Sequence, residues 1–186
     1  MQTEKECNTP ARTWIKDLIR GFLSNLEWNF INLSFIKGVK LGKNVKIHKF
    51  VNAWECEIGN DSVICSYTEV QKGVKIGSNC RIGSHSFLCS GVELGSNVFF
   101  GSSVICTNDK HPTPNNKNYK QLKTIIGNNV SVGSGVTLLP GIEIGEGSLI
   151  GGGSTVSKNV GKNEVWFGNP AVLKATHFKL KEKNGL

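Results

Sequence analysis

The side chains best suited to moving a proton near neutral pH are four histidines: His48, His85, His111 and His177. Unperturbed imidazole titrates at about 6.5, which suits general acid and base work. His111 follows Asn108, Asp109 and Lys110 and precedes Pro112, so an amide and a carboxylate lie close to it in the chain. His85 sits between the hydroxyls of Ser84 and Ser86. His48 and His177 read as structural. Cys7, Cys56, Cys65, Cys80, Cys89 and Cys106 contain no C-x-x-C pair, and the histidines lack ligand spacing, so no metal site is expected. The glycines form no phosphate-cradling loop of the G-x-x-x-x-G-K-[ST] kind.

Composition narrows the class of molecule that must position these groups. The chain has 186 residues, 38% of them apolar and 19% charged, which suits one folded domain. It has 22 glycines but only 5 prolines and no Gly-X-Y triplets, so it is not collagen-like and has many similar turns. A formal charge of +8 favours anionic partners. The lysines are scattered and no RNP, KH or zinc-finger pattern is present, so the excess suits phosphate-bearing small ligands better than nucleic acid. The start Gln2-Thr3-Glu4-Lys5 is unlike a leader peptide, and the cysteines read as free thiols, which points to the cytoplasm.

The positioning element is a repeat. An aliphatic or similar residue recurs at every sixth position: Ile58, Ile64, Val70, Ile76, Ile82, Leu88, Leu94, Phe100 and Cys106. The column resumes as Ile126, Val132, Leu138, Ile144, Ile150 and Val156. Four residues after each lies a small or β-branched one, such as Ser62, Thr68, Val74, Cys80 and Ser86. A period of six excludes an amphipathic helix. The even step between columns puts both on one face of a strand. Three hexads closing a triangle, stacked in about six coils, would bury both columns and pair each backbone with the coils above and below. A β-sandwich is the alternative, but its strands do not keep so strict a period.

The repeat breaks once. Cys106 and Ile126 are 20 positions apart, so about 14 residues near 108–122 leave the column as a polar loop that begins with the Asn108–Pro112 segment. Before the repeat, residues 9–31 predict a helix with Thr9 as N-cap and Pro10 at its first position. It packs on the prism end or a neighbouring subunit, or alternatively lies on a membrane surface through its Trp/Phe/Leu face. The expected organisation is 1–38 as the helical segment, 39–160 as the repeat domain and 161–186 as a C-terminal segment with a basic tail.

The run IGSNCRIGSHSFLCSGVELGSNVFFGSSV, with the loop and the closing GNPA segment, resembles the hexapeptide-repeat acyltransferases over about residues 39–172. The resemblance implies an all-β fold, a left-handed parallel β-helix with one extruded loop. It also implies acetyl-coenzyme A as acyl donor and a homotrimer with sites between subunits. The SHSFLC and TNDKHP segments look most like N-acetyltransferases of nucleotide-linked amino sugars, which implies roles in surface polysaccharide assembly. The DKHP segment is similar to the G-H-P or R-H-P segment of the sugar O-acetyltransferases and serine acetyltransferases, which makes His111 the first candidate for general base. The SHSFLC likeness implies that His85, with Ser84, contacts the sugar nucleotide or that His85 is the alternative base. Asn108 is the candidate to hold the sugar, and Asp109 to orient His111 or bind the sugar hydroxyls. Several such N-acetyltransferases carry tyrosine at the position of His111, where an amine needs no protein base. The sugar O-acetyltransferase pattern places Ser134, Gly152, Ser157 and Lys158 at coenzyme A contacts, with Lys158 meeting phosphate.

Two other readings stay open. The histidine after Lys110 favours O-acetylation of a sugar or other small hydroxyl compound. A non-catalytic β-helix scaffold, or a carbonic-anhydrase-like relative, is the reading from a different class, though the latter needs three metal histidines.

Overall fold

Residues that face inward at every sixth position are buried together only if the chain turns a corner between hexads. The computed structural model describes residues 33–176, and in it the chain turns at each hexad. The expected helix at 9–31 and the tail from His177 lie outside the described residues.

Strands of two or three residues fall in turn on three faces. The first face holds Phe35–Lys37, Asn52–Trp54, Glu69–Val70, Phe87–Leu88, Ile105–Cys106, Thr137–Leu138 and Thr155–Val156. The second holds Lys40–Leu41, Glu57–Ile58, Lys75–Ile76, Val92–Leu94, Thr124–Ile126 and Glu143–Ile144. The third holds Lys46–Ile47, Val63–Ile64, Arg81–Ile82, Phe99–Phe100, Ser131–Val132 and Leu149–Ile150. Each pairs in parallel with the strand one coil away. The result is an all-β parallel solenoid of six full coils, with a seventh begun by Thr155–Val156, consistent with the left-handed β-helix that the resemblance implies. Beyond it, Val165–Gly168 pairs with Leu149–Ile150 and then, antiparallel, with Ala171–Ala175. This hairpin closes the third face. Its Asn169–Pro170 peptide is cis.

Both inward columns are buried along their whole length. On the third face Ile64, Ile82, Phe100, Val132 and Ile150 stack in register. On the second, Ile58, Ile76, Leu94, Ile126 and Ile144 do the same. The small inward hydroxyls are satisfied between coils. Ser62 Oγ donates to Gly77 O at 3.0 Å and accepts from Cys80 N–H at 3.0 Å. Ser86 Oγ bridges Gly101 O and Val104 N–H in the same way. A buried hydroxyl without such partners would cost about 1–3 kcal/mol.

Corners bring backbone onto backbone. A Cβ placed on Gly83 would lie 2.5 Å from the Gly101 carbonyl carbon and 2.5 Å from the Ser102 nitrogen. No side-chain rotation relieves that contact. Gly83→Ala therefore lowers stability by about 1–3 kcal/mol in urea unfolding; an unchanged midpoint would contradict the close stacking.

The buried thiols set a pH limit. Burial pushes Cys56 and Cys89 up to about 11, and it raises Cys80 and Cys106 as well. An unfolded thiol titrates near 8.5, roughly. With the folded value raised, the stabilising contribution is complete below the unfolded value and is lost as the pH climbs toward the folded one. The urea midpoint falls between about pH 8.5 and 11, less steeply in Cys106→Val. Equal slopes in the two chains would count against sequestered thiols.

Candidate active site

The loop leaves the solenoid at the corner between the first and second faces. Paired residues are 18 apart in Lys75↔Glu93 but 32 apart in Glu93↔Ile125, so 14 residues are added without disturbing the register. The stem is pinned on both sides. Leu122 N–H donates to Asn108 O at 3.1 Å, and Asn108 Nδ2 donates to Ser90 O at 3.0 Å. Thr124 N–H donates to Gly91 O at 3.1 Å. Lys123 Nζ donates to Glu93 Oε1 at 2.8 Å, and that bond holds the Glu93 carboxyl below the usual carboxylate range. Gly91 has φ +92°, and a Cβ there would meet the Gln121 amide nitrogen at 2.7 Å.

Within the loop, Asp109 acts on His111 through the backbone. Its Oδ1 accepts the His111 main-chain N–H at 2.9 Å, and Asn116 Nδ2 donates to His111 O at 3.3 Å. The imidazole is exposed. His111, Asp109, Lys110, Asn116 and Lys120 line a cleft of about 450 Å³. A second cleft of about 520 Å³ lies between the loop and the later coils, with Asp109, Lys110, Pro112, Leu139, Ser157 and Lys158 in its wall. The stem amide of Asn108, expected to hold a sugar, is committed through Nδ2 to the scaffold. Lys110 and Pro112 were not singled out by sequence; their place beside His111 was the available signal.

His85 is on another edge. It occupies the corner between the third and first faces, at φ +60°, with its ring stacked on Tyr67 at 4.8 Å and 9°. Ser84, Ser102, Ser134 and Gly152 form the adjoining column, shown by Ser103 N–H to Ser84 O, Gly135 N–H to Ser102 O and Gly153 N–H to Ser134 O. Ser134 Oγ accepts the Ser102 N–H at 3.2 Å. Ser134 and Gly152 are therefore coaxial with His85, whereas Ser157 and Lys158 stand beside the loop. The first face lies between them. Five residues of extended chain span about 16 Å, so one chain does not gather the four donor candidates, nor His85 with His111. Among the described residues, no group of three His, Cys, Asp or Glu side chains is arranged to hold a metal ion.

The family model described as bacterial transferase hexapeptide (six repeats) matches residues 55–90 and 123–158, the runs on either side of the loop. A variant of AntD, an N-acyltransferase from Bacillus cereus in complex with dTDP and coenzyme A, is 27% identical with TM-score 0.67. The match covers 81% of this chain and 88% of AntD. The chain carries the hexapeptide repeat of the bacterial transferases on both sides of the loop. A second AntD variant, in complex with dTDP-4-amino-4,6-dideoxyglucose and coenzyme A, is 25% identical with TM-score 0.63, over 82% of this chain and 88% of that one. The acetyltransferase domain of PglB from Neisseria gonorrhoeae shares the fold at 19% identity and TM-score 0.61, over 70% of this chain and 57% of the other. No curated protein matches the sequence.

One polar atom of the solenoid is out of keeping with its surroundings. Thr124, where the loop rejoins the coil, is 1% exposed, and its Oγ1 has no hydrogen-bond partner. The other inward residues at this corner are apolar: Val74, Val92 and Ile142. Thr124→Val keeps the shape and removes the orphan hydroxyl, so it raises stability by about 1 kcal/mol in thermal or urea unfolding. A loss of stability would mean that the hydroxyl is satisfied.

Proposed function

We propose that this chain moves an acetyl group from acetyl-coenzyme A to the amino group of a nucleotide-linked sugar, serving surface polysaccharide assembly in the cytoplasm. The observation that carries the reading is the likeness to AntD along most of both chains, joined to a loop-side cleft in which Ser157 and Lys158 face Asp109 and Lys110. The cleft fits a phosphorylated thioester. Two ammonium groups suit phosphate, and Pro112 and Leu139 supply apolar wall for the pantetheine arm. When bound, the donor supplies an activated acyl carbon.

The chain's own groups then have three tasks. Lys158 and Ser157 hold the donor phosphates. Asp109, by fixing the His111 backbone, sets where that imidazole stands. His111 takes the proton that the attacking nitrogen loses as the C–N bond forms and the C–S bond breaks, and it returns the proton to the departing sulfur. His85 and Ser84, across the first face, meet the acceptor. A homotrimer reconciles these positions, because the loop edge of one chain then faces the His85 edge of the next. O-acetylation is the second reading. It is favoured by the presence of His111 in the loop cleft, since a hydroxyl gives up its proton less readily than an amine.

The test is thiol release from acetyl-coenzyme A across a panel of nucleotide amino sugars and simple sugars. Transfer to the amino sugars alone is expected, and transfer to hydroxyl acceptors alone would favour the second reading. His111→Ala lowers kcat by about 100-fold or more; a near-normal rate would remove it as the base. Lys158→Ala raises KM for acetyl-coenzyme A with little change in kcat, and an unaltered KM would remove the phosphate contact.

A further inference from the structure

Each coil turns the corner between the third and first faces on a residue with left-handed backbone: Phe50 (φ +62°), Tyr67 (+62°), His85 (+60°), Ser103 (+60°), Gly135 (+70°) and Gly153 (+69°). Glycine and asparagine take this conformation at least cost, and a bulky side chain there is an outlier. The corner between the second and third faces follows that economy, with Asn44, Asp61, Asn79, Asn97 and Asn129. Their side chains bond coil to coil, as in Asn79 Nδ2 to Asn97 Oδ1 at 2.8 Å. The backbone therefore does not ask for aromatic rings at the other corner.

Yet three stand there, and they are stacked. Phe50 and Tyr67 have centroids 4.9 Å apart and planes 8° from parallel; Tyr67 and His85 are 4.8 Å and 9°. All three are exposed, Tyr67 by 53%. One coil further the column changes character. Ser103 is small, and Gly135 and Gly153 have no side chain. A Cβ on Gly153 would meet nothing within 4 Å, and one on Gly135 only the Gly153 backbone at 3.9 Å. One face of His85 is covered by Tyr67, while the column beyond its other face carries only small residues. Ser102, Ser103 and Ser134 stand at or next to this corner in the coils that follow.

We propose that the Phe50–Tyr67–His85 stack is a platform on which a nucleobase lies, continuing the stack over His85 at the level of Ser103. The base is that of the acceptor's nucleotide or the adenine of coenzyme A. The proposal rests on the nucleotide-dependent reading above and adds the subsite and the way it binds. Three aromatic rings held at a strained turn are explained by a ligand whose planar face matches theirs. The seryl hydroxyls supply partners for its polar edge. Stacking in this form tolerates different bases, so the platform holds the nucleotide while selection among bases falls to the hydroxyls.

The experiment is NMR of the full chain carrying ¹³C-labelled histidine. It is titrated with dTDP, UDP and GDP and, in a separate arm, with coenzyme A. The His85 ring protons are expected to move upfield and to saturate with ligand. His85→Ala weakens the Kd by about fivefold to 150-fold, the range for losing one stacked ring. His85→Phe binds within about twofold of the native chain, because the stack survives. A shift with the diphosphates assigns the platform to the acceptor, and a shift with coenzyme A alone assigns it to the donor; both support base stacking. Equal weakening in His85→Ala and His85→Phe would overturn it in favour of a polar or charged contact. An unchanged Kd in His85→Ala with altered sedimentation would overturn it in favour of a contact between copies. No ring shift in a preparation that transfers acetyl groups would overturn the platform and leave the acyl-transfer reading intact. A ring shift without transfer to any acceptor would support the platform and count against that reading.

Discussion

Backbone hydrogen bonds between successive coils, such as Gly83 N–H to Phe100 O at 2.9 Å and Gly101 N–H to Val132 O at 2.8 Å, hold the turns one strand spacing apart. That spacing is about 4.8 Å, and it dictates what each column of the solenoid accepts. Inside, it stacks like side chain on like side chain. At the tight corners it leaves no room for a Cβ. At the third–first corner it matches the separation of Phe50, Tyr67 and His85. Small hydroxyls survive in the core because the coil above offers both a carbonyl and an N–H at that distance, as for Ser62 and Ser86. Thr124 shows the converse, a hydroxyl in a column whose other members need none.

The same regularity divides the functional groups. A triangular coil puts residues one coil apart on the same corner and residues one hexad apart on different corners. His85, Ser134 and Gly152 thus share one edge, while Asp109, Lys110, Ser157 and Lys158 share another. The extruded loop does not remove this separation, because its stem is clamped to the first–second corner by Asn108, Leu122 and Lys123. The proposed function joins the two edges through a second copy of the chain. The proposed trimer follows from that division as much as from the resemblance.

Most of the scaffold could be read from spacing. Every residue assigned to the two inward columns is buried, and the loop length follows from the interval between Cys106 and Ile126. Coil height is a property of backbone bonding, so a period in the chain becomes a period in space. The closing hairpin was harder, because Val165–Ala175 obeys no hexad. The aromatic stack was present as the 17- and 18-residue intervals between Phe50, Tyr67 and His85, but only the coil length gives those intervals meaning. The edges of Ser134 and Lys158 were likewise implicit in counting from one hexad to the next. What no spacing reveals is the direction of individual polar bonds. The Asp109 carboxylate takes the His111 backbone N–H, and Asn108 is turned toward Ser90.

The proposed function requires the two edges of different copies to meet and form one site. Mixing unfolded His85→Ala and His111→Ala chains in equal amounts and refolding them together tests it directly. If each site takes His85 from one copy and His111 from the next, the mixture regains about a quarter of the native acetyl-transfer rate although each variant alone is impaired. A mixture no more active than the better of the two variants would show that the groups do not combine across copies.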